Sequence, residues 1–168
     1  MFFFLSTPDY NKTQSNTTKV KVYLRNGIAE VLDQHQDLIG RVENNILEVE
    51  SNIENKVEKS LYILQDAVFI VSTKGLDKKS EIKQTGVYVY ARRVKEINQA
   101  SFGEDFTKQY EQKNSELEKE ITKLENVKDD DSKASSNIRL ILNSRILLLK
   151  EDAEFLKRVG IILKSFKK

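Results

Sequence analysis

The chain has 168 residues, no cysteine, no tryptophan, one proline and six glycines, with 32% charged residues and a net charge of +2. A chain of this length buries about 70% of its unfolded surface and needs no disulfide or metal for stability. The missing cysteines exclude a disulfide framework, cysteine zinc ligands and a thiol nucleophile.

Charge is unevenly distributed. Lys74 to Lys95 holds seven bases against two acids, Glu104 to Asp131 ten acids against five lysines, and Arg139 to Lys168 eight bases against three acids. Such blocks serve as solvated faces or as surfaces for a partner of opposite charge. No apolar run approaches the roughly 18 residues of a transmembrane helix.

The opening Met1-Phe-Phe-Phe-Leu5 is too short for the apolar region of an export signal and lacks basic residues before it. With Pro8 and the polar stretch after it, residues 1–18 read as a flexible tether. From Leu24, apolar positions recur in steps of three and four through Ile28, Val31, His35, Leu38, Val42, Ile46, Val49, Ile53, Val57, Leu61, Leu64, Val68 and Val71. That spacing predicts a helix over 19–73, capped by Thr17 or Thr18, bent at Gly40 and ended near Gly75.

Ile82, Val87, Tyr90, Ala91, Val94 and Ile97 give a second helix over 80–100, begun at Ser80. Gly86-Val-Tyr-Val-Tyr-Ala91 alternates like a strand, but no partner strand is evident, and an unpaired strand leaves its backbone unsatisfied. A capping-box spacing at Ser101 and Glu104 opens a third helix over 104–128. After the acidic turn Asp129 to Asp131, the most apolar segment predicts a fourth helix over 136–166, broad enough to be the buried centre.

The fold class expected from these elements is all-α: four helices, five if the first breaks near Gly40, in a mostly antiparallel bundle with one very long N-terminal helix. Domain 19–168 follows the tether 1–18. The expected core is Val42, Ile46, Ile53, Val57, Leu64, Val68, Val94, Ile141, Leu148, Leu156, Val159 and Leu163.

No catalytic constellation emerges. His35, the single histidine, has only apolar neighbours one helical turn away and reads as structural. Asp129 to Asp131 lacks the alternating ligands, glycine and closing glutamate of a calcium loop. Phosphate-binding glycine loops and a nucleophile elbow are absent from the sequence. No catalytic residue, cofactor or metal is assigned, and the chain reads as a non-enzymatic binding protein. The candidate partner-binding residues are Lys74, Lys78, Lys79, Lys83, Arg92, Arg93 and Lys95, a basic set suited to an acidic protein face or a sulfated glycan. Nucleic-acid binding is not expected, because no recognition motif accompanies these bases. A homo-oligomer is compatible with the stripes.

The run Phe2-Phe-Phe-Leu-Ser6, the polar Asn/Thr/Lys stretch and the helix-rich remainder resemble outer-surface lipoproteins of Borrelia-type spirochaetes. The resemblance implies a lipid-anchored protein of the bacterial outer membrane that binds a host matrix protein, glycosaminoglycan or complement factor. Thr7 stands where the lipid-bearing cysteine of that family would be, so this sequence cannot carry the anchor itself. The alternative is a cytoplasmic or virion helical protein acting in assembly or chaperoning through helix packing.

Overall fold

The computed structural model describes residues 1–54, 56–73, 84–97, 106–127 and 133–166. The chain divides into two compact units, Met1–Gly103 and Glu104–Lys168. The first is an eight-stranded sheet and the second a helical hairpin.

Strand β1 (Phe2–Thr7) turns through Pro8 and Asp9 into β2 (Tyr10–Gln14), with Thr7 opposite Tyr10. Proline fixes its own φ near the value that such a turn needs. β3 (Thr17–Leu24) turns through Arg25 and Asn26 into β4 (Gly27–Val31), where Gly27 adopts a φ of 149°. β5 (Leu38–Val42), β6 (Asn45–Ile53), β7 (Lys56–Ser72) and β8 (Gly86–Ile97) complete the sheet. The strand order is β2-β1-β8-β7-β6-β3-β4, with β5 also paired to β7. All pairs are antiparallel except β1 with β8.

β5 and β6 lie end to end along one edge of β7. Val42 opposes Ala67 and Asn45 opposes Leu64, so one register runs through both pairings. At this junction Asn44 and Asp66 take left-handed φ values of 45° and 47°. Both are short polar residues of the kind that tolerate this conformation. The inward face changes parity there: Tyr62 and Leu64 enter the core before Asp66, and Ala67, Phe69 and Val71 enter it after. On β8, Val87, Val89 and Ala91 belong to the core, and Val94 packs against it three residues later. The sheet therefore folds upon itself, and Phe3, Leu5, Val20, Val22, Val31, Leu47, Val49, Leu64 and Phe69 share one closed core.

Gly40 has a specific role in that core. A Cβ on it would stand 2.1 Å from Cε1 of Phe69, its register partner on β7. The ring occupies the space that any other residue at 40 would fill. Beyond β4, the loop is tied by two carboxylates. Asp37 accepts from both the amide and the hydroxyl of Thr73 at 2.9 and 3.0 Å, and Asp33 accepts from the amide of Thr85 at 3.4 Å.

The helices are α1 (Phe106–Glu125) and α2 (Lys133–Phe166). They run antiparallel: Arg145 reaches Glu120 at 3.7 Å, and Gly160 lies beside Phe106. Glu120 is buried and also pairs with Lys123 at 2.7 Å.

The all-α bundle is thus incorrect. The segment expected as helix 19–73 is five strands, β3 to β7, and the one expected as 80–100 contains β8. Gly86 to Ala91 is a strand after all, with β1 and β7 as its partners. The tether 1–18 is instead β1, β2 and the start of β3, with Phe3 and Leu5 fully buried. Alternation of period two was masked by strands buried on both faces, as at Leu61-Tyr-Ile-Leu64, where four consecutive residues are buried. Of the expected core, Val42, Ile46, Leu64, Val159 and Leu163 are buried, Val94 and Leu156 are half-buried, and Ile53, Val57, Val68, Ile141 and Leu148 are exposed. His35 is half-buried in the loop after β4, where its Nδ1 lies 2.8 Å from the carbonyl of Gln36. Helices were expected at 104–128 and 136–166, where α1 and α2 stand, but α2 is not a buried centre. The features at Gly75, Ser80, Ser101, Glu104 and Asp129 to Asp131 lie outside the described residues.

Two stability predictions follow from this packing. Gly40→Ala forces a methyl into the Phe69 ring and should cost about 1–3 kcal/mol, the usual range for overpacking, with partial recovery in the Phe69→Leu background. Leu64→Ala should cost about 2–5 kcal/mol while Leu148→Ala changes little, because only the first is enclosed. Urea unfolding midpoints of the parent, the four single variants and the Gly40→Ala/Phe69→Leu double variant measure both.

Candidate docking face of the sheet

Much of the outward face of β1, β8, β7 and β5 is apolar, where an outer sheet face is normally polar. One row of register partners crosses four strands: Phe4, Tyr88, Ile70 and Ile39. The next row is Ser6, Tyr90, Val68 and Arg41. Tyr90 is 48% exposed, Val68 41% and Ile39 73%. Aromatic side chains organise one end: Phe4 meets Tyr90 edge-on at 6.0 Å between centroids, and Phe2 and Phe4 lie 5.9 and 6.5 Å from Tyr88. Tyr88 leans over Gly86, where a Cβ would come within 2.6 Å of the phenol oxygen. Burial lifts the Tyr88 phenol above its ordinary value, so it stays neutral at physiological pH. Exposure is concentrated at Tyr90, Val68 and Ile39, while Phe2, Phe4 and Ile70 are half-buried and Tyr88 is buried. Large apolar side chains exposed together in this way are the usual mark of an interaction surface.

A polar clamp sits where the β1–β2 hairpin meets the neighbouring strands. Glu96 accepts from the Lys12 ammonium at 2.6 Å and from the Tyr10 hydroxyl at 2.8 Å, with the Tyr62 hydroxyl at 3.5 Å. Tyr62 and Glu96 are register partners on β7 and β8, so the clamp binds β2 to that pair. Partial burial opposes the charge on Glu96, but the hydrogen bonds from Lys12 and Tyr10 outweigh it and hold the carboxyl below its ordinary value. Burial and the nearby carboxylate drive the Tyr10 phenol well upward. Lys12 likewise ends above its usual value, because the bond to Glu96 overcomes its desolvation. The group thus consists of a fixed carboxylate, a fixed ammonium and neutral phenols. This is the chemistry of a structural tie, since none of the four groups is poised to exchange a proton near neutrality.

The sequence-derived partner residues are only partly placed. Lys74, Lys78, Lys79 and Lys83 lie outside the described residues. Arg92, Arg93 and Lys95 stand close together on β8, where Arg92 is exposed and the other two are half-buried. Arg93 donates to Oε1 of Gln65 on the adjacent strand at 3.3 Å. Helical spacing over 80–100 hides the aromatic face, because it turns Tyr90 inward with Val94 and Ile97 and leaves Tyr88 off the stripe. The alternation of Val87, Val89 and Ala91 with Tyr88 and Tyr90 was the available signal.

Glu96 gives a pH prediction. Its folded pKa is depressed, so its contribution is present above the ordinary glutamate value of about 4.3 and is lost as pH falls through the folded value. Urea midpoints measured between about pH 3 and 7 should decline more steeply for the parent than for Glu96→Gln, which carries no titrating group at that site.

Neither a protein-family model nor a curated protein sequence matches the chain. Solved structures do. A chain in the cryo-EM structure of the Euglena gracilis mitochondrial ATP synthase (OSCP, F1 and c-ring, rotational state 1) is similar, with a TM-score of 0.52 and 16% identity, over 99% of this chain and 80% of that one. A chain in the Tetrahymena thermophila mitochondrial ATP synthase central stalk and c-ring aligns with a TM-score of 0.45 and 11% identity, over 91% of this chain and 96% of that one. At 16% identity the Euglena match establishes a shared fold. That fold, a sheet followed by a helical hairpin, is not a helical bundle. The host-binding surface bundle and the helical assembly or chaperone alternative rested on the helical reading and fall with it, and the likeness to a chain of a mitochondrial complex speaks against the lipid-anchored or cytoplasmic location.

Proposed function

We propose that this chain is a non-catalytic subunit of an ATP-synthase-type assembly, held in place by a neighbouring protein subunit against the apolar face of its sheet. The observation that carries this reading is the fold likeness over 99% of the chain to a chain of the Euglena enzyme. The face built from Phe4, Tyr88, Tyr90, Val68, Ile70 and Ile39 supplies the means. Aromatic and branched side chains held on a paired sheet lose little conformational freedom when covered, which favours a permanent protein contact over a transient one. The occupant is accordingly an apolar protein surface. Catalysis by the assembly belongs to other subunits, and this chain contributes a rigid docking element.

The test places a photo-crosslinking residue at Tyr90 in native cells, with the same residue at exposed Glu58 as control. Mass spectrometry should identify subunits of an ATP synthase in the Tyr90 adduct, and Tyr90→Asp should release the chain from the complex on native gels. Migration of the parent chain apart from any F1-containing complex would overturn the reading.

A further inference from the structure

The first half of α2 carries a stripe that the hairpin does not cover. Leu140 is 67% exposed, Ile141 65%, Leu147 58% and Leu148 57%. Residues 140, 141, 144, 147 and 148 fall on one side of a helix. Seven residues on from Ile141 and Leu148 the same side reaches Phe155 and then Val159, both buried. The exposed part is therefore a discrete patch and not a wholly solvated face.

Its pattern is symmetric about Ser144. Two large apolar residues precede that position by three and four, and two follow it by three and four. Ser144 itself is small, and its hydroxyl is already satisfied by the carbonyl of Leu140 at 2.9 Å. A small, satisfied residue at the midpoint lets a second helix approach closely. An isologous contact requires a surface that complements itself across a two-fold axis. Antiparallel pairing about Ser144 does this: Leu140 meets Leu148 of the other copy, and Ile141 meets Leu147. The flanking residues agree, because Asn137 then stands opposite Glu151, whereas parallel pairing would set Glu151 against Glu151.

We infer that this patch is a self-association surface, and that the free chain forms an antiparallel dimer through α2 with Ser144 on the two-fold axis. Covering four such side chains on each copy removes on the order of 1,000 Å² from water, at the low end of specific interfaces, so the dimer is weak and reversible. It does not depend on the assembly reading: the sheet face and this patch lie on different elements and are tested by different variants.

Sedimentation equilibrium of the full chain from about 1 µM to several hundred µM should show the mass rising from 19.4 kDa towards twice that value. Ile141→Lys and Leu148→Lys together should hold the chain at the monomer mass throughout, with an unchanged circular dichroism spectrum. The sequence has no cysteine, so Ser144→Cys introduces a unique thiol. A short bismaleimide should link it to a second copy several-fold more than it links Glu154→Cys, an exposed position outside the patch. A monomer at every concentration would overturn the proposal and leave the patch to a different chain. So would a dimer that survives the lysine substitutions but is lost in Tyr90→Lys, or equal cross-linking at the two cysteines.

Discussion

Strand β7 is hydrogen-bonded along both edges, to β6 and then β5 on one side and to β8 on the other. Its seventeen residues are too long for one flat layer of a small domain, where strands are usually about five or six. The left-handed residue Asp66 resolves this by reversing which residues point inward halfway along, opposite the matching break at Asn44. The two halves of one strand thereby serve two parts of a single closed core. The space at Gly40, the stacking of Phe3 with Tyr62 at 6.1 Å and the position of the aromatic outer face all depend on that reversal.

The outer face acquires its chemistry from the same register. In the second half of β7 the inward positions are Ala67, Phe69 and Val71, which leaves Val68 and Ile70 outside beside Tyr88 and Tyr90. β1 joins this face in parallel with β8 and brings Phe2 and Phe4. The Glu96 clamp secures β2, the strand beyond β1, to the centre of the sheet through one carboxylate with three donors. An apolar face already held on a paired sheet needs little further ordering when it is covered.

The hairpin was legible in the sequence. Its apolar stripes have helical spacing, its charges fall in pairs one turn apart such as Lys113 with Glu116, and neither helix contains proline. The sheet was not, although its punctuation was present: Pro8-Asp9 and Asn26-Gly27 both mark turns. Lys19-Val-Lys-Val22 alternates as a half-buried strand should, with Val20 and Val22 inside. What overrode these signals was the run of steps of three and four from Leu24 to Val71, which threads β3 to β7. Burial on both faces at Leu61–Leu64 and the change of inward parity at Asp66 put apolar residues at positions of either parity and hid the period of two. A strand at Gly86 to Ala91 was set aside for want of a partner, and the partner lay inside that misread stripe. The docking face followed the same error, since Tyr88 and Tyr90 become outward residues only once β8 is a strand.

Amide hydrogen exchange resolved by residue tests the central place of β7 most directly. Core strands paired on both edges open only with global unfolding, whereas helix ends and edge strands open locally. The slowest-exchanging amides should cluster at Leu61–Leu64 and Ala67–Val71, with intermediate protection on the edge strands β2 and β4. Rapid exchange across Lys56–Ser72, with protection confined to Phe106–Glu125 and Lys133–Phe166, would contradict this account.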